Sequence, residues 1–190
     1  MKKSIGSQPL AFPTPVYIVG TYDAEGQADM TAIAWAGIAA SEPASVAISI
    51  RASRYSYENI LREKAFTVNL PPQRYLAEAD YFGIVSGRNA DKLAATGLTA
   101  VPGEFVHAPI LEEFPVALEC VLTERLDLGT HTLFIGEIKD IKADEECLDE
   151  KGRVDWHALG ILSYVPDSME YLLPGEVAGK AFSAGKVFMK

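Results

Sequence analysis

The stretch Pro15-Val16-Tyr17-Ile18-Val19-Gly20-Thr21-Tyr22, closed by Asp23-Ala24-Glu25-Gly26, decides the fold class. It is a compact run of β-formers that ends in turn residues, so it reads as a strand entering a tight turn, with a hairpin to follow. Ala28 to Ala36 and Ser45 to Arg51 are two further β-compatible runs, separated by the breakers Ser41, Glu42 and Pro43. The first fifty residues therefore read as three strands.

Beyond Arg51 the periodicity changes. Tyr57, Ile60 and Leu61 recur at helical spacing, with Asn59, Arg62, Glu63 and Lys64 as the polar face of a short amphipathic helix. Ala65 to Leu70 is again extended and is stopped by Pro71 and Pro72, which cannot donate to a ladder and disfavour helix just before them. Gln73 to Ile84 is helical, with Tyr75, Leu76, Ala79 and Phe82 on one side. Ser86, Gly87 and Arg88 then break the pattern before Asn89, which is expected to cap a further helix that runs through Thr96 and ends at Gly97.

The C-terminal half returns to strands, at Val116 to Leu122 and Leu133 to Ile141, joined by a turn near Asp127 to Thr130, and at Ala158 to Tyr164. Strands in hairpin-length pairs, not alternating with helices, predict an antiparallel sheet closed into a barrel. The chain reads as mainly β with a few helices, one domain over residues 1–190, with an irregular tail over 174–190 that reaches onto a partner subunit or lies loose.

Composition narrows the function. At 190 residues and 48% hydrophobic, the chain can bury a substantial core. Its net charge of -9 argues against nucleic acid, which demands clustered Lys and Arg. No run of about 18 apolar residues suggests a membrane span, and the polar stretch Ser4 to Gln8 is unlike a secretory leader, so a cytoplasmic location is expected. Cys120 and Cys147 have no neighbour at metal or redox spacing and read as free thiols, and three scattered histidines give no metal site.

Neither a dinucleotide fingerprint nor a Walker loop occurs, so a phosphate must be held otherwise. Arg51-Ala52-Ser53-Arg54-Tyr55-Ser56-Tyr57 gathers two guanidinium groups and several hydroxyls where a strand ends and a helix begins, and free amides there favour an anion. The same residues also read as a capping serine among solvated arginines. Ser86-Gly87-Arg88-Asn89 with Asp91-Lys92 is a second donor-rich cluster, equally a surface turn. In Thr31-Ala32-Ile33-Ala34-Trp35 small side chains would let a flat ring approach the backbone, although the segment also suits a core strand. His131 stands at the start of a strand, where it can face a barrel mouth or simply serve the turn.

Six motifs in one order resemble the flavin-reductase-like family, in particular its flavoredoxin branch. They are Pro13 to Thr21, Met30 to Trp35, Ile50 to Ser56, Val68-Asn69-Leu70-Pro71, Ser86-Gly87-Arg88 with Asp91-Lys92, and Gly129-Thr130-His131, and the resemblance spans Phe12 to Tyr171. It implies a Greek-key split β-barrel that works as a homodimer and binds FMN non-covalently beside the dimer interface. The implied cofactor contacts are Thr31, Ala32, Ile33, Ala34 and Trp35, then Arg51, Ser53, Arg54, Tyr55 and Ser56, then Arg88, Asn89, Asp91 and Lys92, with the Lys92 ammonium near the ring's polar edge. His131 is the implied catalytic residue, as proton donor or substrate contact. Flavin reductases of this kind carry Gly-Asp-His, and this chain has Thr130 in the aspartate's place. That departure favours an electron-transfer flavoprotein served by a redox carrier. A reductase that uses NAD(P)H to reduce free flavin, and a flavin-binding dimeric domain without turnover, are the alternatives.

Overall fold

The computed structural model describes residues 1–189. Its strands are β1 (Thr14–Pro15), β2 (Tyr17–Tyr22), β3 (Ala28–Ile33), β4 (Ala36–Ser41), β5 (Ala44–Ile50), β6 (Ala65–Asn69), β7 (Ala100–Pro102), β8 (Pro109–Leu111), β9 (Val116–Asp127), β10 (Thr132–Ala143), β11 (Ser163–Val165) and β12 (Glu170–Leu172). Three α-helices, α1 (Tyr55–Glu63), α2 (Leu76–Ile84) and α3 (Lys92–Thr96), fall between β5 and β7.

Seven strands form the main sheet in the order β3-β2-β6-β9-β10-β5-β4, every neighbour antiparallel. Its two edges, β3 and β4, are separated in the chain only by Ala34 and Trp35. The sheet must therefore curl until its two edges approach one another at that link, where the β4–β5 ladder gains one further bond, from the Ser49 amide to the Trp35 carbonyl at 2.8 Å. This is the antiparallel barrel expected from the strand pattern, in the split form that the family resemblance implies.

β2 shows why its sequence is a nearly unbroken apolar run. Val19 points into the barrel core with Val46, Ile48, Phe66 and Phe134, while Ile18 faces the other way onto Met30, Phe82 and Leu111 beneath α2. A strand buried on both faces has no polar alternation to display. α1 closes the barrel's end with Ile60, which is fully buried, and with Tyr57 and Leu61 packed against the same core. Gly20 permits close packing on this strand, because a β-carbon there would collide with the Pro109 carbonyl and the Thr67 hydroxyl.

A buried polar chain ties the helices to the barrel wall. Lys92, first residue of α3, places its ammonium 2.7 Å from Asp29 on β3 and also donates to the Met30 carbonyl. Thr31 donates to Asp29 at 3.3 Å, and Ser56 of α1 donates to Thr31 at 3.0 Å. Burial pushes the Asp29 carboxyl up and the Lys92 ammonium down, and their mutual attraction opposes both shifts. Glu119 on β9 is similarly interior and accepts the Phe105 and Val106 amides, which pins the loop before β8.

Several expectations are corrected. Ala28 to Ala36 is not one strand: it breaks at Ala34 and Trp35, and β4 follows. β4 is alanine-rich and largely exposed, so it carried no apolar alternation to reveal it. Asp91, not Asn89, caps α3, and its carboxylate accepts from the Ala94 amide at 3.0 Å. Asn89 is held in a turn, its amide donating to the Ser86 carbonyl. Of Ala158 to Tyr164 only Ser163 and Tyr164 are strand, and the short β7–β8 hairpin was not anticipated. Both cysteines are free, and no helix among the described residues is long and apolar enough to cross a membrane.

Lys92→Met should lower stability by about 3–5 kcal/mol, because it strands a buried carboxylate, and Asp29→Leu/Lys92→Met should lose less than the single variant. Urea unfolding of the three proteins checks this. Burial raises the Cys120 thiol to about 12, so at mildly alkaline pH a thiol reagent should leave Cys120 untouched in the native protein and titrate it after unfolding.

Candidate functional site

The corner that closes the barrel also builds the site. A cleft of about 220 Å³ is lined by Ala32, Ile33, Ala34 and Trp35 from the β3–β4 link, by Ser49, Ile50, Arg51 and Arg54 from the end of β5, and by His131 and Tyr164. Four regions far apart in sequence meet because β5 lies between β4 and β10 in the sheet. The β5–β10 register pairs Ile50 with Thr132, which sets His131 beside Arg51.

The polar end of the cleft is cationic. Among the described residues, Arg51 makes no side-chain hydrogen bond or ion pair, while Arg54 donates to the Gly83 carbonyl at 3.3 Å. The chain turns at Arg51, whose carbonyl accepts the Arg54 amide at 2.9 Å, and Arg54 is the extended N-cap of α1. No side chain caps this nine-residue helix, so its first amides lack that partner. Burial, and then the Arg51 charge, lower the His131 pKa below its ordinary 6.5, which leaves the imidazole neutral at neutral pH. Its Nδ1 lies 3.0 Å from the Thr130 hydroxyl.

The other end is apolar. A second cleft of about 340 Å³ shares Ala32, Ile33, Ala34 and Tyr164 with the first and continues over Val16, Gly83, Ile84 and Met169. There Tyr171 donates to Asp80 at 2.8 Å. The small side chains of Ala32 and Ala34 thus border both clefts, one holding Arg51 and Arg54 and the other mainly apolar.

Of the residues expected to meet a cofactor, Ala32, Ile33, Ala34, Trp35, Arg51, Arg54 and His131 come together here. The others do not line this cleft. Thr31 and Ser56 are buried and spend their hydroxyls on the chain to Asp29. Ser53 is exposed, and its carbonyl accepts from Arg88 at 2.9 Å. The Arg88 guanidinium also lies over the Tyr55 ring, 5.1 Å from its centroid, so it braces the turn. Tyr55, Asp91 and Lys92 border a separate depression of about 660 Å³ with Asp23 and Asp29. The Lys92 ammonium, expected near a ring's polar edge, is buried against Asp29, which supplies the counter-charge that a buried ammonium needs. Gly87 lets the loop press on that pair, for a β-carbon there would strike Asp29 and lie 2.7 Å from Tyr55. Sequence reasoning missed Tyr164, which joins the two clefts from a strand of three residues that displays no periodicity of its own.

With this geometry in hand, comparison with known proteins is specific. Residues 10–171 match the family described as "Flavin reductase like domain". The flavoredoxin of Desulfovibrio vulgaris (Miyazaki F) is 48% identical and superposes with a TM-score of 0.93, covering 98% of this chain and 100% of that one. An uncharacterized protein of Aeropyrum pernix is 30% identical over 65% of this chain and 48% of its own length. The high molecular weight rubredoxin of Moorella thermoacetica is 31% identical over 53% of this chain and 43% of its own. The chain thus spans less than half the length of these two curated relatives. The family match, the barrel and the flavoredoxin likeness agree, and the chain belongs to the flavin reductase like domain family, on its flavoredoxin branch.

Proposed function

We propose that this protein holds FMN non-covalently in the Ala32–Trp35 groove and exchanges electrons through it with a separate redox carrier, as a homodimer. The observation that carries this reading is an unpaired Arg51 beside Arg54 and the uncapped start of α1, at one end of a groove floored by small side chains. A guanidinium fork suits a phosphate monoester bidentately, and helix amides add donors to the same anion. Ala32 and Ala34 leave room for a flat ring against the backbone, with Trp35 and Tyr164 as aromatic walls. FMN presents these two features, a planar ring and one terminal phosphate, at opposite ends.

Bound there, the flavin supplies the electron chemistry, and the protein supplies position and electrostatics. Arg51 and Arg54 would hold the phosphate anion. Ile33, Ile50 and the apolar cleft beyond Tyr164 restrict water. His131, neutral at neutral pH and in the same cleft, can donate or accept one proton at the ring or substrate. Thr130 Oγ1 shares a hydrogen bond with its Nδ1, where flavin reductases of the family place an aspartate. A neutral hydroxyl does not favour the imidazolium as a carboxylate would, which supports the carrier reading over direct use of NAD(P)H. The likeness to a rubredoxin-named protein supports an electron carrier as partner.

Wild-type protein should bind FMN at least about tenfold more tightly than riboflavin, and Arg51→Ala/Arg54→Ala should erase most of that preference while riboflavin affinity barely changes. Arg125→Ala, a charge change outside the cleft, should leave the preference intact. Calorimetric titration of the three proteins with both ligands decides the point, and a preference that survives the double variant would refute the phosphate seat. His131→Asn should keep FMN yet slow carrier-dependent reduction by about 10²-fold or more. If His131 donates a proton, the wild-type rate rises as pH falls through its lowered pKa, and the variant's profile is flat there. Stopped-flow reduction across pH measures both.

A further inference from the structure

The two clefts that meet at Tyr164 differ in chemistry. The second, of about 340 Å³, holds no cation in its lining, and its one carboxylate, Asp80, already accepts the Tyr171 hydroxyl at 2.8 Å. Burial, and then that bond, hold the Tyr171 phenol above its ordinary range, so its proton stays on the oxygen and the group stays committed to Asp80. Tyr164 leans on Tyr171, with ring centroids 5.7 Å apart. Its carbonyl accepts from Thr14, while its hydroxyl has no hydrogen-bond partner among the described residues.

The rim of this cleft is apolar as well. Ile84, at the end of α2, is 71% exposed, and Met169, in the turn between β11 and β12, is 76% exposed, and both line the cleft. Large apolar side chains left in water around a concave site are a mark of a ligand groove. Ala32, Ile33 and Ala34 border both clefts, so a flat molecule in the second lies beside one held in the first.

Size and polarity select the occupant. Ligand pockets run from roughly 300 to 1,000 Å³, so this cleft suits a molecule of one or two fused rings and not a dinucleotide. Any phosphate or carboxylate on that molecule would face Asp80 with no lining cation to offset the charge. The one uncommitted side-chain donor of the lining, the Tyr164 hydroxyl, suits a carbonyl oxygen. A neutral, planar, carbonyl-bearing molecule meets these conditions, and beside a flavin the class of that description that takes up electrons is the quinone.

We propose that the second cleft binds a neutral quinone of one or two fused rings, which accepts electrons from the flavin in the first cleft, with Tyr164 donating to one of its carbonyl oxygens. This names the final electron acceptor and rests on the flavin reading of the first cleft. The quinone takes up two electrons and two protons and leaves as the hydroquinone. A hydride comes from the reduced flavin anion, and the second proton comes from water. The flavin is left oxidised, and two electrons from the redox carrier, with one proton, restore it.

Calorimetric titration of full-length, FMN-loaded, oxidised protein reads binding without turnover, and flavin absorbance of each sample reports the FMN it holds. Menadione, a neutral two-ring quinone, should bind at least about tenfold more tightly than phthiocol, the same quinone with one added hydroxyl that is ionised at neutral pH. Tyr164→Phe should weaken menadione about fivefold, and Ile84→Asp/Met169→Asp at least about tenfold. Menadione that does not bind protein holding FMN, that binds no better than phthiocol, or that binds both variants as well as the wild type would overturn the quinone site and leave the flavin reading standing. A chain that takes up no FMN would overturn the reading beneath it. In anaerobic stopped-flow, light-reduced wild-type protein should be reoxidised at a rate that saturates as menadione rises, with one hydroquinone formed per flavin. A rate that stays proportional to menadione would mean collision without a site, and would equally overturn the proposal.

Discussion

The barrel's two free edges are two residues apart in the chain. Because β3 and β4 are consecutive in sequence yet lie at opposite ends of a seven-stranded sheet, the sheet has to close, and Ala34 and Trp35 have to turn its corner. A corner of this kind leaves backbone outside the regular ladder, with small side chains on its approach. The site residues from β5, β10 and β11 converge on it because closure brings their ends there. Fold and site are consequences of the same constraint.

The sequence displayed this unevenly. β2, β5, β6 and the inner half of β9 were legible because their burial forces a compact run of β-formers. Pro71 marked the end of β6 and Gly97 the end of α3, for steric reasons that hold in any context. β4 was illegible because Ala36-Gly37-Ile38-Ala39-Ala40-Ser41 is exposed here, and exposure removes the pattern by which a strand is recognised. The position of the cap at α3 was misread for a different reason. Asn89 and Asp91 are equally good caps in isolation, and the buried bond from Lys92 to Asp29 fixes which of them begins the helix.

Among the basic residues the same logic separates roles that composition cannot. Arg51, Arg54, Arg88 and Lys92 were all expected to meet the cofactor, Lys92 near the ring's polar edge. Lys92 is committed to Asp29, and Arg88 to the Ser53 carbonyl and the Tyr55 face, so both shape the walls. Thr31 and Ser56 likewise link β3 to α1 and do not point outward. Among the described residues, the Arg51 guanidinium is left uncommitted, beside the His131 imidazole. Local spacing does not show these commitments, which rest on contacts between residues far apart in the chain, Lys92 with Asp29 and Arg88 with Ser53.

We propose that the Ala34–Trp35 corner floors a flavin site whose anion seat is the β5–α1 junction. A crystal structure of the protein grown with FMN tests it most directly. The account predicts ring density along Ala32 to Trp35 and phosphate density against Arg51 and the first amides of α1. Phosphate density in the Asp23, Asp29 and Asp91 depression, or a flavin remote from Trp35, would contradict it.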